Sequence, residues 1–269
     1  MRLLPVESWA DMFAPWKGKR IGYIRGEHGN VGDTLQEKAF WQLCKHFGQD
    51  VVWLGPVPEG REPWDWSLED GKWDGQLHGN VDTLVCFGGG NMGLPGPSMR
   101  LRKRASRLGL PITILPNSWR AFEVVPNCIR YYMRESLSKC FAPTAVLMPD
   151  VGLGLDFDES IRATEPSIHL GVFLRNDKEA LFADACTMNQ GAAFGVIPKQ
   201  AVDGYLQLAA SYERIVTDAL HFSIAGLMSG REVTLVPGRY HKNRGMYDCW
   251  LKDLGCHWAY DPRDVEGVS

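Results

Sequence analysis

The stretch IVTDALHFSIAGLMSGREVTLVP, residues 215–237, reads as a short buried strand, a sharp turn, a helix and a second buried strand. Ile215 and Val216 end the first strand, and Thr217 and Asp218 are residue types that cap helix N-termini by accepting from unpaired backbone N–H groups. Leu220, Ile224, Leu227 and Met228 recur at i, i+4, i+7 and i+8, the apolar strip of a helix packed on a sheet. Gly230 stops that helix, and Val233–Val236 is the next strand. His221 therefore falls in the first helical turn, at the carboxyl end of a strand, where open α/β sheets bind ligands. Unpaired N–H groups and the positive end of the helix dipole suit that place to an anion such as phosphate. A histidine there could exchange a proton near neutral pH, or it could simply close the helix start.

Upstream, RIGYIR at 20–25 reads as a first strand, followed by the glycine-rich turn GEHGNVGD at 26–33. A helix follows with Leu35, Ala39, Leu43 and Phe47 at four-residue spacing, and Thr34 with Glu37 has the spacing of a capping box. With a strand over Val51–Leu54, this order implies a right-handed crossover and a parallel sheet. The turn lacks a G-x-G-x-x-G fingerprint, so it does not indicate a nicotinamide site. Asn30 and Asp33 could contact a ligand hydroxyl or phosphate; equally, Gly29, Asn30 and Gly32 could only permit a tight turn. Residues 56–79 read as a polar loop, which Trp64, Trp66 and Trp73 either pin down or turn into a sugar-binding surface. Thr83–Phe87 is a buried strand running into GGGNMG, 88–93, whose glycines let backbone approach a ligand or another backbone. A helix from about Pro97 carries Arg100, Arg102, Lys103, Arg104 and Arg107, either a solvated face or one that meets an anionic substrate. Further strands end in polar tips: Ile112–Leu115 in PNS (116–118), Ile129–Met133 in RES (134–136), and Val146–Met148 just before Asp150.

The polar stretch DFDESIRATEP, 156–166, has no apolar periodicity and reads as a linker. It divides a Rossmann-like domain, 1–160, from a smaller one, 161–269. The second begins with a strand over Ile168–Leu174 and the charged tip RNDKE, 175–179. A helix over Ala201–Ala210 comes next, and the loop PGRYHKNRG, 237–245, leads to a last helix with Met246, Trp250 and Leu254. The expected fold class is α/β, two Rossmann-like domains facing across a cleft that holds the active site.

Composition narrows the function classes. A chain 45% hydrophobic and 23% charged is globular, and its formal net charge of -3 gives no electrostatic reason to expect nucleic acid. The apolar runs are strand-length, so no membrane span is expected, and the N-terminus lacks the apolar core of a signal peptide. Seven cysteines without a C-x-x-C pair read as reduced thiols of a cytoplasmic protein. The histidines lack metal-site spacing, so neither a metal nor a cofactor is indicated.

Taken in order, GNVGD (29–33), GGGNMG, PNS, RES with a later Asp150, RNDKE, VTDALH (216–221) and HKNRGMYDCW (241–250) resemble the polysaccharide pyruvyl transferase family. The resemblance extends from Gly29 to Trp250. It implies two Rossmann-like domains in a GT-B-like arrangement. It also implies transfer of pyruvate from phosphoenolpyruvate to saccharide hydroxyls as a cyclic ketal, in the assembly of surface polysaccharide or exopolysaccharide. Arg175 would grip the donor, since phosphate and carboxylate call for cationic donors, preferably bidentate. His221 would act as general acid or touch the phosphate, and Lys242, Asn243 and Arg244 would complete the anion site. Asp33 and Asn30 would face them from the other domain and serve the acceptor; Gly89, Gly90, Asn91, Asn117 and Ser118 would contact substrate there. Asp177 and Asp218 could as well hold loops or caps. An acceptor linked to a lipid would draw the protein to the membrane surface. Two positions depart from the family pattern: Ala219 stands for the usual arginine of R-L-H, and Phe222 for a small residue, which would narrow the mouth of the site. Arg239 or Arg244 could supply the missing charge. Alternatively the chain is a nucleotide-sugar glycosyltransferase of the same fold, or a non-catalytic family member.

Overall fold

Short aliphatic runs between glycine- and proline-rich turns form two parallel sheets in the computed structural model, which describes residues 1–25, 31–54, 77, 79–182 and 201–268. The chain divides into two units, Leu4–Gly29 with Gln36–Leu155, and Met1–Leu3 with Asn30–Leu35 and Asp156–Ser269. They are called the N-terminal and C-terminal units below.

The N-terminal unit holds β1 (Arg20–Ile24), β2 (Asp50–Trp53), β3 (Thr83–Cys86), β4 (Gly89–Met92), β5 (Ile112–Trp119), β6 (Cys128–Met133) and β7 (Val146–Leu147). Their order is β2-β1-β3-β5-β6-β7, with β4 also paired to β5, every pairing parallel. The interior strands of such a sheet are covered on both faces, so they read as largely apolar runs rather than alternating ones. β3 and β5 are buried along their whole length. A short helix α1 (Ala10–Phe13) and the long α2 (Val31–His46) supply part of the cover. Phe40 of α2 stacks on Tyr23 of β1 at 4.9 Å and on Phe13 of α1 at 6.1 Å. The third helix, α3 (Pro97–Ser106), has proline in its first turn, where the missing N–H costs nothing.

Three expectations for this unit are corrected. The helix α2 starts at Val31, so Thr34 lies inside its first turn and no capping box forms. Glu37 is buried and pairs with Arg25 at 3.0 Å. PNS is no loop tip: β5 runs through it, and Asn117 and Ser118 are buried. Arg102 is not on the solvated face of α3 but buried, with a two-pronged bond to Glu123 (2.9 and 2.7 Å).

The C-terminal unit holds β8 (Ile168–Phe173), β9 (Tyr212–Thr217), β10 (Glu232–Leu235) and β11 (His257–Trp258), ordered β11-β10-β9-β8 and all parallel. Its helices are α4 (Val202–Ala210), α5 (Leu220–Met228) and α6 (Lys242–Met246). Gly226 lets α5 sit tight on the sheet, because a Cβ there would lie 2.6 Å from Val233. The segment 156–166 is not a free linker. It forms a 3-10 turn over Glu159–Ala163, and Arg162 donates to the carbonyls of Met228 and Leu227 (3.0 and 3.3 Å), closing the C-terminus of α5. Nor is 237–245 all loop. Lys242, Asn243 and Arg244 are helical, and α6 passes into a π-helical turn over Tyr247–Leu251 that ends its α-helical period. Among the described residues no helix is long and apolar enough to cross a membrane.

Candidate functional site

Three neighbouring parallel strands of the C-terminal unit end in chemically active residues. Arg175 follows β8, Asp218 follows β9, and Lys242 lies beyond β10. Carboxyl ends of parallel strands are where open α/β sheets take their ligands.

The helix α5 fixes His221. Every residue from Leu220 to Met228 is buried except His221, so the imidazole is the helix's opening to the surface. The helix begins at Ala219, which has no side chain to cap it. Thr217 and Asp218 do not cap it in the expected way either. Thr217 Oγ1 accepts from Ala219 N (3.0 Å) and donates to Phe173 O (2.7 Å), tying β9 to β8. Asp218 Oδ1 accepts from the backbone N–H of Arg175 (2.8 Å) and so holds the loop after β8.

Gly32 presses on the imidazole. A Cβ there would stand 2.4 Å from His221 Nδ1, closer than real Cβ contacts come. The first turn of α2 belongs to the C-terminal unit, so Gly32, Asp33 and His221 are members of one unit. Asp33 is near enough to the buried Tyr205 to help raise its phenol, after burial itself. Asn30, expected beside Asp33, lies outside the described residues.

The cations expected to grip an anion already have partners. Arg175 Nε bonds Asp177 Oδ1 at 3.0 Å, its Nη2 meets Asp177 Oδ2 in a very short contact, and Glu179 Oε2 lies 3.6 Å away. Lys242 Nζ bonds that same Glu179 oxygen at 2.7 Å. Burial alone would push the Glu179 carboxyl up; Lys242 and Arg175 outweigh it and hold the group below the ordinary value. Asp177 is likewise held down against its burial by Arg175. Asp218 goes the other way: burial raises it to about 6, against weaker opposing pulls from Arg175 and Lys242. Its second oxygen, Oδ2, is buried without a hydrogen-bond partner among the described residues. Asn243 Nδ2 donates to the carbonyls of Asp218 (2.7 Å) and Val236 (3.0 Å), while its Oδ1 is also buried and unpartnered. Three carboxylates thus surround two cations.

Arg244, the third basic residue, points elsewhere. It pairs with Asp248 at 2.7 Å and lies over the rings of Tyr247, Trp258 and Tyr260. Arg239 donates to Ala180 O at 2.9 Å. Phe222 does not narrow a mouth: it is fully buried against Phe173 and Tyr205, with ring centres 4.5 and 5.1 Å away.

A profile of the polysaccharide pyruvyl transferase family matches residues 30–238. The chain belongs to that family.

Among solved structures, the chain is similar to a functionally uncharacterised protein from Klebsiella pneumoniae subsp. pneumoniae NTUH-K2044. The TM-score is 0.69 at 16% identity, covering 96% of this chain and 99% of that one, which is a likeness of fold. Fainter matches are S. aureus MnaA with UDP (TM-score 0.45, 10% identity, 81% and 79% covered) and E. coli heptosyltransferase WaaC with ADP (0.38, 13%, 81% and 86%). No curated protein matched.

Of the expected residues, Asp33, Arg175, His221, Lys242, Asn243 and Arg244 belong to the C-terminal unit, and Gly89, Gly90, Asn91, Asn117 and Ser118 to the N-terminal unit. There Gly89 of β4 pairs in register with Asn117 of β5. Asn117 Nδ2 donates to Leu115 O (2.8 Å), and Ser118 Oγ receives Arg134 Nε (2.8 Å). Gly90 and Asn91 lie on β4 beside Gly89. Arg134, of RES, is buried against Asp150 at 2.7 Å, so that motif forms an internal ion pair. Sequence reading passed over Glu179 and left Asp218 between a site role and holding a loop or cap. Glu179 stands four residues beyond Arg175, a spacing that commonly pairs opposite charges on a helical turn, and this could have revealed it. Asp218 reads as a cap in sequence, and only its burial gives it a raised pKa.

Proposed function

We propose that this family member transfers pyruvate from phosphoenolpyruvate to two hydroxyls of a saccharide in surface polysaccharide or exopolysaccharide assembly. The carrying observation is that one unit holds His221, Arg175 and Lys242 beyond the carboxyl ends of β9, β8 and β10, and Asp33 in the first turn of α2, whose Gly32 lies against His221. In this reading, one acceptor hydroxyl adds to C2 of the enol phosphate while C3 gains a proton and becomes a methyl group. The second hydroxyl then displaces phosphate from C2, and its proton leaves with the phosphate. His221 protonates C3 or contacts the phosphate, Arg175 and Lys242 hold the donor's anionic groups, and Asp33 orients the acceptor. Asn243, Asn30, Gly89, Gly90, Asn91, Asn117 and Ser118 complete the two sides in the GT-B-like arrangement that the resemblance implies. A lipid-linked acceptor and a cytoplasmic place belong to the same reading.

The test is phosphate release from phosphoenolpyruvate with a panel of nitrophenyl glycosides, and NMR detection of a ketal methyl group. Release that requires both substrates supports the proposal; consumption of a nucleotide-sugar with no release from phosphoenolpyruvate replaces it with glycosyl transfer.

A second reading has its own observation. Asp177 and Glu179 already neutralise Arg175 and Lys242, and Ala219 contributes no charge, which favours a non-catalytic member that binds no phosphoenolpyruvate. Isothermal calorimetry with phosphoenolpyruvate alone separates the two, since only the first predicts heat of binding.

A further inference from the structure

A cationic stripe and an exposed apolar strap lie side by side on the N-terminal unit. On α3 and its C-cap residue Arg107, Arg100, Lys103, Arg104 and Arg107 follow at i, i+3, i+4 and i+7, so they share one face, and all four are exposed. The helix has no acidic residue, and its other side buries Arg102 and Ala105. Arg100, Lys103 and Arg107 have no carboxylate partner among the described residues. Like charges at this spacing repel one another, so an external anion stabilises the stripe. The chain as a whole carries a net charge of -3, which makes this face a local reversal.

The strap is residues 120–127, which join β5 to β6 without a helix. It runs along α3 and is tied down three times. Arg120 N donates to Met92 O (2.9 Å), Glu123 receives Arg102 and Gly93 N (2.9 Å), and Asn127 Nδ2 donates to Ser106 O (2.8 Å). Over 122–125 the side chains alternate as in a strand: Glu123 and Val125 are buried, while Phe122 and Val124 are 70% and 65% exposed. The buried Arg102–Glu123 pair therefore sets two large apolar side chains beside the basic stripe.

We propose that this face docks on a bilayer surface carrying anionic phospholipids. Headgroup phosphates meet the α3 stripe, and Phe122 and Val124 enter the boundary between headgroups and acyl chains. A polynucleotide would match the cations but leave both apolar side chains in water, which is why the bilayer fits better. The proposal does not depend on the transfer reaction.

Co-sedimentation tests it, using vesicles of phosphatidylglycerol and phosphatidylcholine in equal parts, and of phosphatidylcholine alone. The full chain binds the first and not the second, and added salt weakens binding. Replacing Arg100→Gln, Lys103→Gln and Arg107→Gln together lowers the partition constant about a hundredfold, each cation near the surface being worth about fivefold. The pair Phe122→Ser, Val124→Ser keeps binding at low salt and loses it at physiological salt. Circular dichroism checks that both variants fold. The proposal is overturned if the chain ignores phosphatidylglycerol or if the triple variant binds as the native chain does. It is equally overturned if the serine pair changes nothing at either salt, which would mark a polyanion site instead.

Discussion

Gly32 lies against His221 so closely that a methyl group on it would stand 2.4 Å from Nδ1 and 2.6 Å from Cβ of the histidine. The Cβ is tied to the backbone of α5, a helix otherwise buried from end to end, so His221 cannot simply swing away. Alanine would ordinarily improve a helical position by about 1 kcal/mol over glycine. Here overpacking dominates, and Gly32→Ala should destabilise by about 1–3 kcal/mol. Denaturant unfolding measures it. His221→Ala in the same chain should recover only part of the loss, because the histidine Cβ remains.

Asp218 predicts an unusual pH response. Its folded-state pKa, pushed up by burial to about 6, lies above the ordinary carboxylate value, so the folded state holds the proton more tightly. Stability then falls as pH rises between about 4 and 6, by about 3 kcal/mol in all for a shift of roughly two pH units. Asp218→Asn can still accept from Arg175 N. It should therefore be more stable than the native chain at pH 7 and lose that advantage towards pH 4. Equal unfolding midpoints at both pH values would refute it.

Arg134 and Asp150 form a fully buried pair, whereas Arg20 and Asp50 form an exposed one at 3.3 Å. Arg134→Ala strands a carboxylate in the interior and should cost about 3–5 kcal/mol. Arg20→Ala should cost less than about 1 kcal/mol. Urea midpoints of the two variants compare them directly.

Under the pyruvyl-transfer reading, Arg175→Ala should weaken phosphoenolpyruvate binding about tenfold to a hundredfold, as expected for one charge-assisted contact. Arg175→Lys should fall between. Thermal shift with phosphoenolpyruvate gives the affinities, and an unchanged shift in the alanine variant would remove Arg175 from the donor site.

Ala219→Arg should strengthen phosphoenolpyruvate binding by a similar factor, since it adds a guanidinium beside His221 at the start of α5. Calorimetry with phosphoenolpyruvate reads this. No gain would mean that Asp177, Glu179 and Asp218 absorb the new charge.

Much of the architecture was legible beforehand because apolar runs and their punctuation are local. The strands around residues 20, 51, 83, 112, 129, 168, 212 and 232 follow from buried aliphatic runs, and α5 from its strip of Leu220, Ile224, Leu227 and Met228. The errors fell where a polar residue's partner is distant in sequence. Arg102 looks solvated until Glu123 is brought to it, Ser118 looks like a loop tip until Arg134 reaches its hydroxyl, and the 156–166 stretch looks loose until Arg162 closes α5.

The sequence by itself determined the family, the parallel α/β character and the position of His221 in a first helical turn, because each rests on spacing along the chain. Only the tertiary structure decided which charges are spent on one another. Glu179 joins Lys242 across 63 residues, Asp218 meets the backbone of Arg175 across 43, and Gly32 meets His221 from the far side of both. Burial and proximity set the protonation and freedom of these groups, and neither quantity exists until distant segments have packed.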